Sequence, residues 1–180
     1  MNADQFYNEM KSLIPNVKDV KKYVPYLEEE YTKSVEISPL KKSHGEFPLY
    51  PVIDLIARYK IENFCIQNFS FVSYSELSES DKYLIFGWRE AFLLGIDKDT
   101  DEIIELDWSD PDTIISYVAK DESHYLDFLI ELFKLNKARD FEEISNQTRN
   151  QCIDKLVNIV GGEKYLSSLE ELKLDTTDFD

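Results

Sequence analysis

Tyr83-Leu-Ile-Phe-Gly-Trp88, Ala91-Phe-Leu-Leu-Gly-Ile96 and Ile103-Ile-Glu-Leu-Asp-Trp108 follow one another so closely that their reading decides the fold. Each run has strand length and apolar or aromatic content, and the joints are turn chemistry. Arg89-Glu90 links the first two, and the polar run Asp97-Lys-Asp-Thr-Asp101 links the second to the third. A fourth strand is predicted around Ile114 to Val118, giving a meandering antiparallel sheet. In the third run Ile104, Leu106 and Trp108 alternate with Ile103, Glu105 and Asp107, the period of two expected when one face is packed and the other wet. A helix should then cover the packed face. Tyr125, Phe128, Leu129, Leu132 and Phe133 lie on one helical stripe, with Asp121 or Ser123 as N-cap and a turn near Asn136 to Asp140.

Upstream, Phe6, Met10, Leu13 and Ile14 predict a first helix, opened by Asn2 or Asp4 and closed before Pro15. A short second helix is expected from Val17 to Tyr23, and Glu28-Glu-Glu30 reads as a solvated face. Ser38 to Pro51 has no periodicity and reads as a loop, whereas Pro51 to Tyr59 reads as a short helix with Pro51 at its first position, or else as a strand. Asn63 to Ile66 and Phe69 to Val72 are two further strands joined at Gln67-Asn68, which brings the sheet to about six. Ser73 to Lys82 is a polar loop or a turn of helix. Downstream, a helix from about Phe141 or Ser145 runs to Val160 and stops at Gly161-Gly162, a last helix is pinned by Tyr165, Leu169 and Leu172, and Asp175 to Asp180 form an acidic tail. The prediction is one α+β domain over 1–180: helices and a loop in 1–60, the sheet in 61–120, helices in 121–174 and the tail in 175–180.

Several of these residues also carry a resemblance. Ile85-Phe-Gly87, Leu94-Gly-Ile-Asp97, the acidic turn Asp99-Thr-Asp-Glu-Ile103, Ala119 with Ser123, and Phe128-Leu129 resemble the pattern of the SUKH superfamily of small acidic immunity proteins. The resemblance implies an α+β fold of that type, no catalysis, and a partner: a polymorphic bacterial toxin domain, often a nuclease or nucleic-acid deaminase, which the immunity protein blocks.

Charge points the same way without naming a partner. The 20 basic and 36 acidic residues give a net charge of −16. A surface so acidic repels phosphate backbones and attracts basic proteins, so direct nucleic-acid binding is not expected. The same acidity also serves solubility. Cys65 and Cys152 are the only cysteines and form no Cys-x-x-Cys pair, which fits reduced thiols better than a disulfide framework. The first residues lack the basic start and apolar run of a signal peptide, and no apolar segment is long enough to span a bilayer, so a cytoplasmic protein off the membrane is expected.

Few residues offer chemistry. Asp97, Asp99 and Asp101 open like a calcium loop, but Glu102 stands where that loop needs Gly and Trp108 where it needs a bidentate Glu. A zinc site would have to gather His44, Cys65, His124 and Cys152 from scattered elements. No phosphate loop is present, and neither a metal nor a cofactor is expected. The richest feature is the acidic stretch in which Asp97, Asp99, Asp101, Glu102, Glu105, Asp107, Asp110 and Asp112 stand against Lys98, with Trp108 among them. Carboxylates around an aromatic anchor complement a cationic groove, the charges steering and the ring supplying contact energy. The alternative is that Trp108 points into the core and the carboxylates merely face water. The expected molecule is a non-catalytic binding protein, monomer or weak homodimer. Its rivals are a nucleic-acid mimic that inhibits DNA-binding proteins, and a small enzyme whose pocket would need carboxylates of raised pKa.

Overall fold

The structure, a computed structural model, describes residues 1–15, 20, 22, 28–142, 144–165, 167, 169 and 172. In chain order the described elements are α1 (Ala3–Leu13), α2 (Glu28–Ser34), β1 (Ser38–Pro39), α3 (Pro51–Arg58), β2 (Tyr59–Lys60), β3 (Cys65–Ile66), β4 (Phe69–Phe71), β5 (Ser78–Glu79), β6 (Tyr83–Arg89), β7 (Phe92–Asp97), β8 (Ile103–Asp107), β9 (Ile114–Ala119), α4 (Glu122–Glu142) and α5 (Asn146–Val160). The fold is α+β. Seven antiparallel strands form the main sheet, in the order β3-β4-β6-β7-β8-β9, with β5 also paired to β6, and β1 and β2 make a small second sheet.

Local chemistry explains most of the joints. Gln67 and Asn68 both take positive φ, 47° and 68°, the left-handed pair that a two-residue hairpin requires between right-twisted strands. β4 and β5 share one side of β6, β4 against Gly87–Arg89 and β5 against Leu84–Ile85, with a bulge between Ile85 and Gly87. Glycine is required at 87, where a Cβ would stand 2.1 Å from the Ser70 carbonyl oxygen. Asn2 caps α1 in a reciprocal capping box with Gln5, Ser145 caps α5 through the Thr148 N–H, and Gly161 at φ 117° ends α5.

The sheet packs on α4. Phe69 and Phe128 meet edge-on at 5.4 Å and Phe86 and Tyr125 at 5.6 Å, so rings from β4, β6 and α4 interlock. On its other side α4 packs against α1, α3 and α5, and Leu126 and Ile130 are therefore buried along with the predicted stripe.

Four expectations need correction. α4 continues through Asn136 to Asp140, where a turn was predicted, because Asn136-Lys-Ala-Arg-Asp140 contains no glycine or proline and is mostly good helix formers. The Ser38 to Pro51 loop contains β1, too short to leave a periodic signal, and Ser73 to Lys82 has the expected turn of helix, a 3-10 turn at Tyr74–Glu76, but adds the unexpected β5. Most importantly, β8 is buried on both faces. Ile103 belongs to the main core under α4, Ile104 and Leu106 join Tyr83 and Leu93 in a second cluster on the opposite face, and Glu105 is 1% exposed. The predicted 17–23 helix falls mostly outside the described residues, as does most of the last helix, of which Tyr165, Leu169 and Leu172 are described and buried; the tail 175–180 lies wholly outside them. No described helix is long and apolar enough to cross a membrane.

Candidate partner-binding surface

Glu105 leaves the predicted acidic surface altogether. It projects from β8 toward α4, where Arg89 Nη1 donates to Oε1 at 2.6 Å and Ser116 Oγ donates to Oε2 at 2.5 Å. The Arg89 guanidinium lies 5.0 Å from the Phe69 ring centroid. A carboxylate can be buried here because a cation, a hydroxyl and an aromatic face replace the water it loses. The charge is neutralised locally, so it cannot steer a distant partner.

The remaining acids fall into two groups at opposite ends of β8, roughly 13 Å of strand apart. In the β7–β8 turn, Asp97 Oδ1 accepts the Asp99 N–H at 2.9 Å and the Thr100 N–H at 3.3 Å, so its carboxylate shapes the turn. Glu102 is half-buried and clasped by Lys164 Nζ on both oxygens and by the Tyr165 hydroxyl, all at 2.6 Å. Burial acts to raise its pKa, but these hydrogen bonds prevail and hold it below the ordinary value. Asp99 and Asp101 are the exposed carboxylates of this turn.

In the β8–β9 loop, Asp107 accepts from the Ser109 hydroxyl at 2.7 Å and the Ser109 N–H at 2.8 Å, which hold it below its ordinary pKa. Asp110 Oδ2 accepts the Thr113 hydroxyl at 2.7 Å, and Asp112 lies 3.6 Å from Lys82 with both groups exposed. The loop is thus braced by its own acids, and it presents Trp108 at 65% exposure. Trp88, opposite Leu93 on β7, is 41% exposed, and Ile115 on β9 is 45% exposed. Trp88 and Trp108 are the chain's two tryptophans, and both reach solvent.

A second acidic feature was not legible in sequence. Tyr50, the residue before α3, supplies no side-chain cap, and Glu122 from the start of α4 takes that role. Its Oε2 accepts the Val52 N–H at 2.6 Å and the Ile53 N–H at 3.3 Å. Burial pushes the Glu122 carboxyl up to about 7 despite these hydrogen bonds, and Asp101 and Asp121 add to the rise. It lines a cleft of about 310 Å³ with Leu49, Tyr50, Pro51, Asp101, Asp121 and Ser123, and Leu49 is 84% exposed at the rim. Sequence offers only an Asp-Glu pair at a helix start, which reads as a local cap.

No group of three or more His, Cys, Asp or Glu among the described residues is placed to hold a metal ion. His44 stacks on Tyr74 at 4.4 Å, His124 Nδ1 lies 2.7 Å from Asp121 Oδ1, and both cysteines are free. No family model, no curated protein and no solved structure matches this chain.

Proposed function

We propose that this chain is a non-catalytic acidic binding protein of the immunity type, which holds and neutralises a basic toxin domain acting on nucleic acid. The observation that carries this reading is Trp108, a large ring left 65% exposed in a loop braced by Asp107 and Asp110. An indole of this size costs free energy in water and yields contact energy when a partner covers it. Carboxylates at the same loop and at Asp99 and Asp101 suit a cationic partner, as does the net charge of −16. The resemblance to the SUKH superfamily supports the toxin as that partner.

The test is binding to a toxin domain encoded beside this chain. Trp108→Ala should weaken binding by about 2 kcal/mol or more while the thermal melt stays unchanged. An unchanged affinity would remove the tryptophan from the interface, and comparable binding to several unrelated basic proteins would favour a nucleic-acid mimic. One observation favours the enzymatic alternative: Glu122, with its pKa raised to about 7, beside Asp121 in a cleft, is the kind of group that general acid catalysis uses. Its bonds to Val52 and Ile53 instead fit a structural cap, so the binding reading is preferred.

A further inference from the structure

β9 is the last strand of the main sheet, paired to β8 on one side only. Its far end is closed. The Lys120 N–H donates to the Val160 carbonyl at 2.7 Å, and Lys164 lies 3.8 Å from the Tyr117 ring centroid. Among the described residues, no backbone hydrogen bond leads outward from Ile114, Ile115 or Ser116. This open half has neither a lysine nor a proline, and the guard it does carry is an irregularity in the register. The register shift opposite Glu105 and Leu106 places Ile115 at the irregularity, and Ile115 is 45% exposed. The opposite edge contrasts with it: β3 is two residues long, packs against α4, and its hairpin is tied to that helix through Gln67 and Asn136.

We propose that this edge receives an extended segment of the partner, which adds a strand to the sheet along Ile114–Ser116. The segment is basic. The loop that leads into β9 carries Asp107 and Asp110, with Asp112 turned to Lys82, so lysine or arginine side chains of an added strand suit this acidic end of the sheet, and the exposed Trp108 and Ile115 offer apolar contact. A second copy of this chain fits less well, since each would bring a charge of −16 to the other. The inference rests on the binding reading above, and it specifies how that partner docks.

The probe is a short synthetic peptide of alternating lysine and valine, with a glutamate–valine peptide as control, and the readout is residue-resolved amide hydrogen exchange. The lysine peptide should slow exchange at Ile114, Ile115 or Ser116 by about tenfold or more, and the glutamate peptide should not. Ile115→Lys should weaken peptide binding at least about tenfold, whereas Ile115→Thr, which keeps a β-former without charge, should change it by less than about threefold. A lysine peptide that leaves exchange at these amides unchanged overturns the proposal. So does a dimer in sedimentation that Ile115→Lys dissolves, which would assign the edge to a second copy. The two readings separate cleanly. If a toxin domain depends on Trp108 but is indifferent to Ile115→Lys, strand addition fails and the function stands; if no toxin domain binds while the peptide still protects β9, the function fails and the edge stands.

Discussion

Glu105 and Glu122 are buried for different reasons, and each makes a prediction. Glu105 is held by Arg89, so removing the cation strands a carboxylate in the core. Arg89→Met should therefore destabilise by about 3 to 5 kcal/mol in urea melts, while a double replacement of Arg89 and Glu105 by apolar residues should recover much of that loss. A double variant no more stable than Arg89→Met would mean that the pair does not act as a unit. Glu122 has a cap's hydrogen bonds but, among the described residues, no ion pair, and burial raises its pKa from 4.5 to about 7. Below about 4.5 the carboxyl is protonated in both folded and unfolded chains. Between about 4.5 and 7 only the folded chain keeps the proton, so stability falls as pH rises across that window, by on the order of 3 kcal/mol in all. Glu122→Gln, whose amide oxygen can still accept from Val52 and Ile53, should lack this decline. Urea midpoints of the two proteins from pH 4 to pH 8 test it: parallel curves would place Glu122 in solvent.

Among elements, α4 has the central place because it is packed on both sides. Phe128 is fully buried and meets Phe69 edge-on, so Phe128→Ala should cost about 3 to 5 kcal/mol, with the transition midpoint moving and its slope retained. A loss under about 1 kcal/mol would contradict the packing of β4 on α4. β8 is the other informative element. Its alternation predicts one dry and one wet face, yet both faces are dry, since the outward cluster of Tyr83, Leu93, Ile104 and Leu106 buries the side that a two-layer sheet would leave in water. An acidic residue within an apolar strand signals solvent only when no cation lies across the sheet, and Arg89 lies there on the neighbouring hairpin.

Across the whole molecule, long-range charge should govern encounter. Asp99→Asn with Asp101→Asn removes two exposed carboxylates and leaves Asp97 and Glu102 to hold the turn. Association with the toxin domain should slow at low salt, dissociation should change little, and the difference should shrink as salt rises, because exposed charges act over a Debye length of about 8 Å at physiological ionic strength. Stopped-flow traces at low and high salt read this directly. Equal association rates at low salt would place the approaching partner away from this turn. Melting should be nearly unchanged, since exposed charges contribute less than about 1 kcal/mol each.

The α+β class, the β6–β7–β8–β9 meander, the stripe of α4, the Gln67-Asn68 hairpin and the ends of α1 and α5 were all legible in the sequence. Their causes are local: a period of two or 3.6, a capping side chain, a residue that tolerates positive φ. The surface was legible only in part. Sequence marked Trp108 and its acids, and the structure put the ring in solvent; sequence also put Glu105 on that surface, and the structure buried it against Arg89, 16 residues away. Glu122 capping α3 across 70 residues gave no sequence signal at all. A carboxylate's exposure and charge depend on which cation, N–H or ring the folded chain brings to it, and that is a property of the tertiary structure, whereas strand and helix are written in neighbours along the chain.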